Sequence, residues 1–387
     1  MIKELIGKIG IDRVVIEVGI KSINTSKMGN GLYSIGYAAE DDNLCVLVND
    51  ISDNNERRIK NMKMMYTVDG ATEGLKEKDT VKYGIEVKQR KNNLNGAIST
   101  VATLDIVMGR VAYDTVHNIY NVHTTETAQQ TIQKVKRELA ANGINLTDES
   151  EWIVTSVEVN KTMETEKSLS EYTTSLEWAF NHLLNSRDIS EDRRHRKKVG
   201  EKKSITYGWR SKRRDIKFYD KAAQCRELNI HLLEELSRCE IKWDKEGIER
   251  AFGSNSIEIL YNREKIESAY NRAIADMVKT LKKAADKEIE ELYQQFKGAN
   301  YKEMNRVFSN NSKGLFDIVF LLEAANRSYK AKKQTSSNFN RDTKKLLKEL
   351  DTSYRYNYRD LMYLLTAFSS EPIEVVQFSK AVNKYNV

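Results

Sequence analysis

A chain of 387 residues, 40% apolar and 31% charged, can bury a large core and fits a soluble protein of two domains. It has no run of 18 apolar residues, no apolar leader or cleavage site at its start, and no CxxC among Cys45, Cys225 and Cys239. A membrane helix, a secretory signal, disulfides and a zinc cluster are therefore not expected, and a cytoplasmic location is. The net charge of +7 is concentrated, since residues 187–221 alone carry fourteen Lys/Arg against six Asp/Glu.

Taken in order, residues 12–110 read as β-rich. Alternation and turn residues predict strands at Arg13–Gly19, Leu32–Ala38, Leu44–Val48, Met64–Val68, Lys82–Lys88 and Ala97–Val107. The turns fall at Gly29-Asn30-Gly31, Asp41-Asp42-Asn43 and Asp69-Gly70. A threonine-capped helix follows at Thr125–Ala141, ended by Asn142-Gly143, then a strand at Trp152–Thr162 and a helix at Ser170–Leu184. After the basic tract come two short strands within Lys203–Lys221, a short helix from Ala222 and a strand at Leu236–Trp243. Beyond residue 250 only helical period remains: a long amphipathic helix at Ile266–Phe296, then helices near 315–329, 340–350 and 356–368, with Lys330–Asn340 as a connector. The fold expected is α+β: a large, mostly antiparallel sheet over residues 1–250, followed by an all-helical domain over 251–387.

Four strands carry one glutamate between apolar neighbours: Glu17, Glu86, Glu158 and Glu240. Taken singly, each suits an exposed sheet face. Their flanks rhyme, IEVGIK with VEVNKT and GIEVKQ with RCEIKWD, which suggests a degenerate internal duplication of about residues 12–95 and 152–250. Carboxylates from neighbouring strands that share a cleft make an all-oxygen site suited to Mg²⁺ or Mn²⁺.

The strand Asp215–Asp220 turns Ile216 and Phe218 one way and Lys217, Tyr219 and Lys221 the other. A half-exposed tyrosine among solvated lysines explains this. So does a nucleophile beside a bound phosphate, with the lysines favouring the phenolate. The basic tract that leads into it, taken with the strand, interleaves Tyr207, Trp209 and Phe218 with Arg193, Arg194, Arg196, Lys197, Lys198, Arg210, Lys212, Arg213 and Arg214. That mixture suits a nucleic-acid track, on which phosphates meet cations and bases stack. The five histidines form no His-x-His pair, and neither GxxxxGK[ST] nor GxSxG occurs.

RRDIKFYDKAAQCRE followed by LSRCEIKWDKEGIERAFG resembles the rolling-circle replication initiators of filamentous phages and related plasmids, the gene II or II/X family. The layout is also similar to that of the trans-acting Rep proteins of Gram-positive plasmids. The resemblance covers about residues 150–255, more loosely 10–110, and none of the helical part. It implies a site-specific DNA endonuclease and strand transferase in which Tyr219 attacks the scissile phosphate and leaves a free 3′-OH. Glu158 and Glu240, with Glu86 in reserve, would hold the metal; Arg238, Lys217 and Lys221 would hold phosphate oxygens. Glu158 stands where the family more often has aspartate. Implied partners are origin DNA, as a hairpin or single strand, a host helicase, and a second copy of the chain. A non-enzymatic repressor or partition factor also fits the basic tract, and a tyrosine transposase or recombinase would use the same chemistry.

Overall fold

The computed structural model describes residues 6–24, 27, 32–37, 46–50, 55–68, 80–91, 98–115, 120–165, 167–184, 194–199, 204–210, 214–227, 235–298, 302–303, 305–306, 318–332, 336–349, 358–372, 378–379 and 382. Its strands are β1 Ile9–Val18, β2 Ile20–Ile23, β3 Leu32–Tyr37, β4 Val46–Asp50, β5 Asn55–Thr67, β6 Val81–Lys91, β7 Ile98–Val107, β8 Ile144–Leu146, β9 Ile153–Glu164, β10 Arg194–Val199, β11 Ser204–Arg210, β12 Arg214–Asp220 and β13 Leu236–Asp244. The helices are α1 Met108–Tyr113, α2 Thr125–Ala141, α3 Thr173–Leu184, α4 Lys221–Glu227, α5 Lys245–Phe252, α6 Arg263–Phe296, α7 Ile318–Ala331, α8 Ser336–Glu349 and α9 Tyr358–Phe368.

Eleven strands form one sheet in the order β10-β11-β12-β13-β9-β1-β7-β6-β5-β3, with β4 also on β5. Every pairing in it is antiparallel. The expected α+β class, with its large antiparallel sheet and helical C-terminal part, is what the chain adopts. The order also explains the internal rhyme. Outward from the central β1–β9 pair, each half places its first strand innermost, its last strand next, and earlier strands beyond. The half-matches differ from those expected, however. This topology equates β6, which carries Glu86, with the tyrosine strand β12, and not with β13, which carries Glu240.

Alternation decides which face is covered. Ile216, Phe218, Cys239, Ile241, Val157 and Val159 are buried on one side. There Phe218 meets Phe368 of α9 at 5.5 Å, and Trp243 meets Phe252 of α5 at 5.5 Å. Lys161 on the same side donates to the carbonyls of Ala367 and Ser369 at the end of α9, at 3.1 and 3.2 Å. Helix α6 starts at Asn262, whose side chain accepts from the Lys265 amide at 3.0 Å. It then buries a stripe from Ile266 to Phe296 at helical spacing. One continuous apolar core joins the sheet to these helices. Helix α2 is bounded as its residues predict: Thr124 caps it, accepting from the Thr127 amide at 3.1 Å, and Gly143 leaves it at φ +82°.

Three boundaries move. β1 starts at Ile9, four residues before the expected Arg13. The expected connector over 330–340 is shorter, because α7 runs to Ala331 and α8 starts at Ser336. Part of the basic tract is itself strand, β10, paired with β11. Among the described residues no helix is long and apolar enough to cross a membrane.

Candidate active site

The face opposite the helices holds the charged residues. Cross-strand register sets them in rows: Lys217–Glu240–Asn160 and Tyr219–Arg238–Thr162 run across β12, β13 and β9, and Lys242–Glu158–Arg13 runs across β13, β9 and β1. The expectation that Tyr219, Glu240 and Glu158 share one face therefore holds in the register. A third carboxylate joins them. Asp12, Glu158 and Glu240, all buried, can each offer an oxygen within 4.8 Å of the other two.

Asp12 was not among the expected residues, and its position comes from a β-bulge. Ile11 pairs with Val159 and Arg13 with Glu158, so Asp12 is the extra residue of β1. The sequence carries the signal. The large apolar residues that are buried fall on odd positions at Ile9 and Ile11 and on even ones at Val14, Ile16 and Val18. Such a parity change is what one inserted strand residue produces.

Each acid has a cation beside it. Lys217 donates to Glu240 Oε1 at 2.9 Å, and Lys242 to Glu158 Oε1 at 2.8 Å. Arg238 is fully buried, donates to Thr162 Oγ1 at 2.8 Å, and lies 3.7 Å from Asp12 Oδ1. Tyr219 donates its phenolic proton to Glu240 Oε2 at 3.2 Å. Below the acids, the fully buried Asn160 accepts from Asn121 at 2.9 Å. Gly10 leaves room for Asn121, whose Cγ would lie 2.7 Å from a Cβ there.

The electrostatics follow from burial and pairing. Burial raises the Asp12 carboxyl, with Arg238 pulling it down and Glu240 adding to the rise. Burial and the neighbouring Glu240 raise Glu158 against Lys242 and Lys217. Glu240 is pushed up by burial too, but Lys217 and Arg238 outweigh this and hold it below the ordinary carboxylate value. For Tyr219 burial dominates and sets the phenol well above 10, with only Arg238 opposing. This reverses the expectation that flanking lysines favour the phenolate, because Lys217 is directed to Glu240. Lys221 also departs from expectation: β12 ends at Asp220, and Lys221 begins α4. It is buried, donates to Gln224 at 2.7 Å and stands 5.9 Å from the Tyr219 ring centre. Burial, then Arg238, lowers its ammonium to about 7.

The acids and Tyr219 line a cleft of about 600 Å³ that continues onto the N-terminal half, where Glu86 lines it too. Glu86 is not one of the three clustered carboxylates. Of the basic tract, Lys197 pairs with Thr206, itself paired with Tyr219, and Arg210 pairs with Asp215, in the Glu158 row. Arg194, Arg196, Lys198 and Trp209 occupy the alternate register positions, Trp209 opposite the buried Ile216. Arg214 reaches Asp276 of α6 at 3.5 Å. Arg193, Lys212 and Arg213 lie outside the described residues.

The donor set fits a hard divalent cation. It is all oxygen and compact. Ligand oxygens about 2.1 Å from Mg²⁺ lie about 3–4 Å apart, so 4.8 Å needs only slight closure. Burial, with Glu240 adding to it, raises Asp12 and Glu158 despite Arg238 and Lys242, and a bound cation would favour the charged form of both.

Arg238 is the structural keystone of this cluster. Arg238→Ala, which leaves Asp12 buried without its partner, is expected to lower the unfolding free energy by about 3–5 kcal/mol. A denaturant midpoint within experimental error of wild type would contradict this.

No protein-family model matches the sequence, and no curated protein matches it. Among solved structures, the fold is similar to that of the rolling circle replication initiator protein from Geobacillus stearothermophilus. The two are 10% identical, the match covers 70% of this chain and 80% of that one, and the TM-score is 0.24. At that level of overlap residues cannot be equated, and the site stands on its own geometry.

Proposed function

We propose that this chain is a metal-dependent enzyme that nicks and rejoins one DNA strand, acting as the initiator of rolling-circle replication at an origin. The observation that supports this reading best is the Tyr219 hydroxyl hydrogen-bonded to one of three buried carboxylates in an open cleft. Asp12, Glu158 and Glu240 would hold Mg²⁺ or Mn²⁺, which supplies a Lewis acid to polarise a phosphate oxygen.

In this mechanism the Tyr219 oxygen attacks phosphorus, the P–O3′ bond breaks, and the chain is joined to the 5′ end. The phenolic proton passes to Glu240 Oε2, already its acceptor, and the departing 3′ oxygen takes a proton from solvent. Burial keeps the phenol protonated until then. Arg238 beside Tyr219, and Lys217 at the cleft, offset charge developing on the phosphate oxygens. The 3′-OH then primes a host polymerase behind a host helicase. Residues three and four beyond Tyr219 are Ala222 and Ala223, so no second nucleophile stands one helical turn away. Closing a round therefore calls on the tyrosine of a second copy or on an activated water, and of the two we favour the second copy.

The test is relaxation of supercoiled plasmid with Mn²⁺ and with chelator. Metal-dependent nicking is expected; DNA binding without nicking would make the chain a repressor or partition factor.

DNA affinity should fall steeply with salt. If six cations of the basic tract meet duplex phosphates, log K against log salt has a slope of about −5. Replacing Arg193, Arg194, Arg196, Lys197 and Lys198 by Ala should weaken binding and flatten the slope together. An unchanged slope would place the DNA elsewhere.

A further inference from the structure

We propose that the N-terminal half of the cleft is a subsite that reads one guanine of single-stranded DNA. The inference rests on the reading of the cleft as a DNA site. Beyond the carboxylates the cleft continues across β1, β7, β6 and β5. Register places two rows of residues side by side there: Val15–Asp105–Gly84–Met65 and Glu17–Thr103–Glu86–Lys63.

The first row has a gap at Gly84. Gly84 has no side chain to rise between Val15 and Met65; a Cβ would already sit 3.1 Å from the Met64 carbonyl oxygen. The one charge in the row, Asp105, is paired with Arg13, whose Nε donates to it at 2.7 Å. The gap at Gly84, beside the adaptable thioether of Met65, gives a base a place to lie. The second row supplies the edge contacts. A carboxylate accepts two parallel hydrogen bonds, and among the four bases only guanine presents two adjacent donors, N1–H and the N2 amino group. Cytosine offers a carboxylate its N4 amino group alone. Lys63, paired across the strands with Glu86, brings a cation toward guanine O6, and Thr103 brings a hydroxyl from the other side. At about 600 Å³ the cleft falls within the range of roughly 300–1,000 Å³ that holds small organic ligands. One nucleotide would sit at the carboxylates and the next over the gap at Gly84.

The experiment incubates a pool of single-stranded DNA with eight random positions with Tyr219→Phe protein and with Tyr219→Phe/Glu86→Gln protein, and sequences what each retains. With the first, guanine is enriched at one position by about tenfold or more; with the second, that enrichment disappears, because an amide offers one acceptor and one donor. Equal guanine enrichment in both, or none at any position with the first, overturns the subsite. If the double variant does not fold, inosine at the selected position, which lacks the N2 amino group, decides on the first variant alone. Weaker binding of inosine supports the subsite, and equal binding overturns it. Failure of wild-type protein to nick the selected sequence would instead sink the strand-nicking reading, and the base preference would still be decided by retention.

Discussion

Tyr219→Phe protein is expected to nick DNA about 10⁴-fold or more slowly than wild type, and to bind it almost as well. Loss of a nucleophile that a neighbouring group activates removes the chemical step itself, while binding contacts elsewhere stay in place. The substitution changes no charge and keeps the ring. It deletes one oxygen that donates to Glu240 at 3.2 Å in a position 8% exposed. Any loss of stability is therefore that of one hydrogen bond, about 1 kcal/mol. The measurement is single-turnover nicking beside DNA affinity. A rate within tenfold of wild type would show that another group attacks.

Asp12→Asn has the second largest effect, and it divides function from stability. Metal affinity is expected to fall about 100-fold or more, since losing a direct ligand costs at least as much as losing an outer partner, and metal-dependent nicking to fall with it. Without metal, the stability of the variant relative to wild type should rise with pH, whatever the cost of leaving Arg238 without its ion pair. The Asp12 carboxyl is raised above 3.8 mainly by burial, so the folded state holds its proton more tightly than the unfolded chain does. Stability linked to that proton is full below the unfolded value and drains away as pH rises through the folded one. Glu158 is raised in the same sense, while Glu240, lowered, works in the opposite one. Metal-free wild type should thus lose stability relative to Asp12→Asn as pH rises from the ordinary carboxylate range to neutrality, and Mn²⁺ should reverse the difference. Thermal unfolding at several pH values, with and without Mn²⁺, reads both signs. A stability difference that does not move in the variant's favour as pH rises without metal would contradict the account.

Much of the site could be read from strand alternation. The polar partners of Ile216 and Phe218, of Cys239 and Ile241, and of Val157 and Val159 had to share a face once their strands were neighbours, and so Lys217, Tyr219, Glu240 and Glu158 come together. Asp12 escaped because alternation works only while the register is unbroken, and the bulge lies at that residue. The state of Tyr219 escaped for another reason. Proximity to lysine can be guessed from spacing, but burial depends on what α4, β13 and β1 bring over the phenol, and burial proved the larger influence. The duplication was legible as a rhyme between strands that carry a glutamate, but short rhymes do not fix which strands correspond. Only the strand order does, and it matches β6 with β12. The basic tract shows the same limit: its charge and aromatic residues suggested a nucleic-acid track but gave no sign that the backbone of 194–199 adds a strand to the sheet.

The central claim is that Tyr219 becomes joined to DNA at a carboxylate-held metal. The most direct measurement incubates wild-type protein with single-stranded DNA of random sequence, with Mn²⁺ or with chelator, then digests both polymers and identifies the nucleotide-bearing peptide by mass spectrometry. The account predicts one adduct, on the peptide that contains Tyr219, present with Mn²⁺ and absent with chelator. An adduct on any other residue, an adduct that forms equally well in chelator, or no adduct from protein that nicks DNA would contradict it.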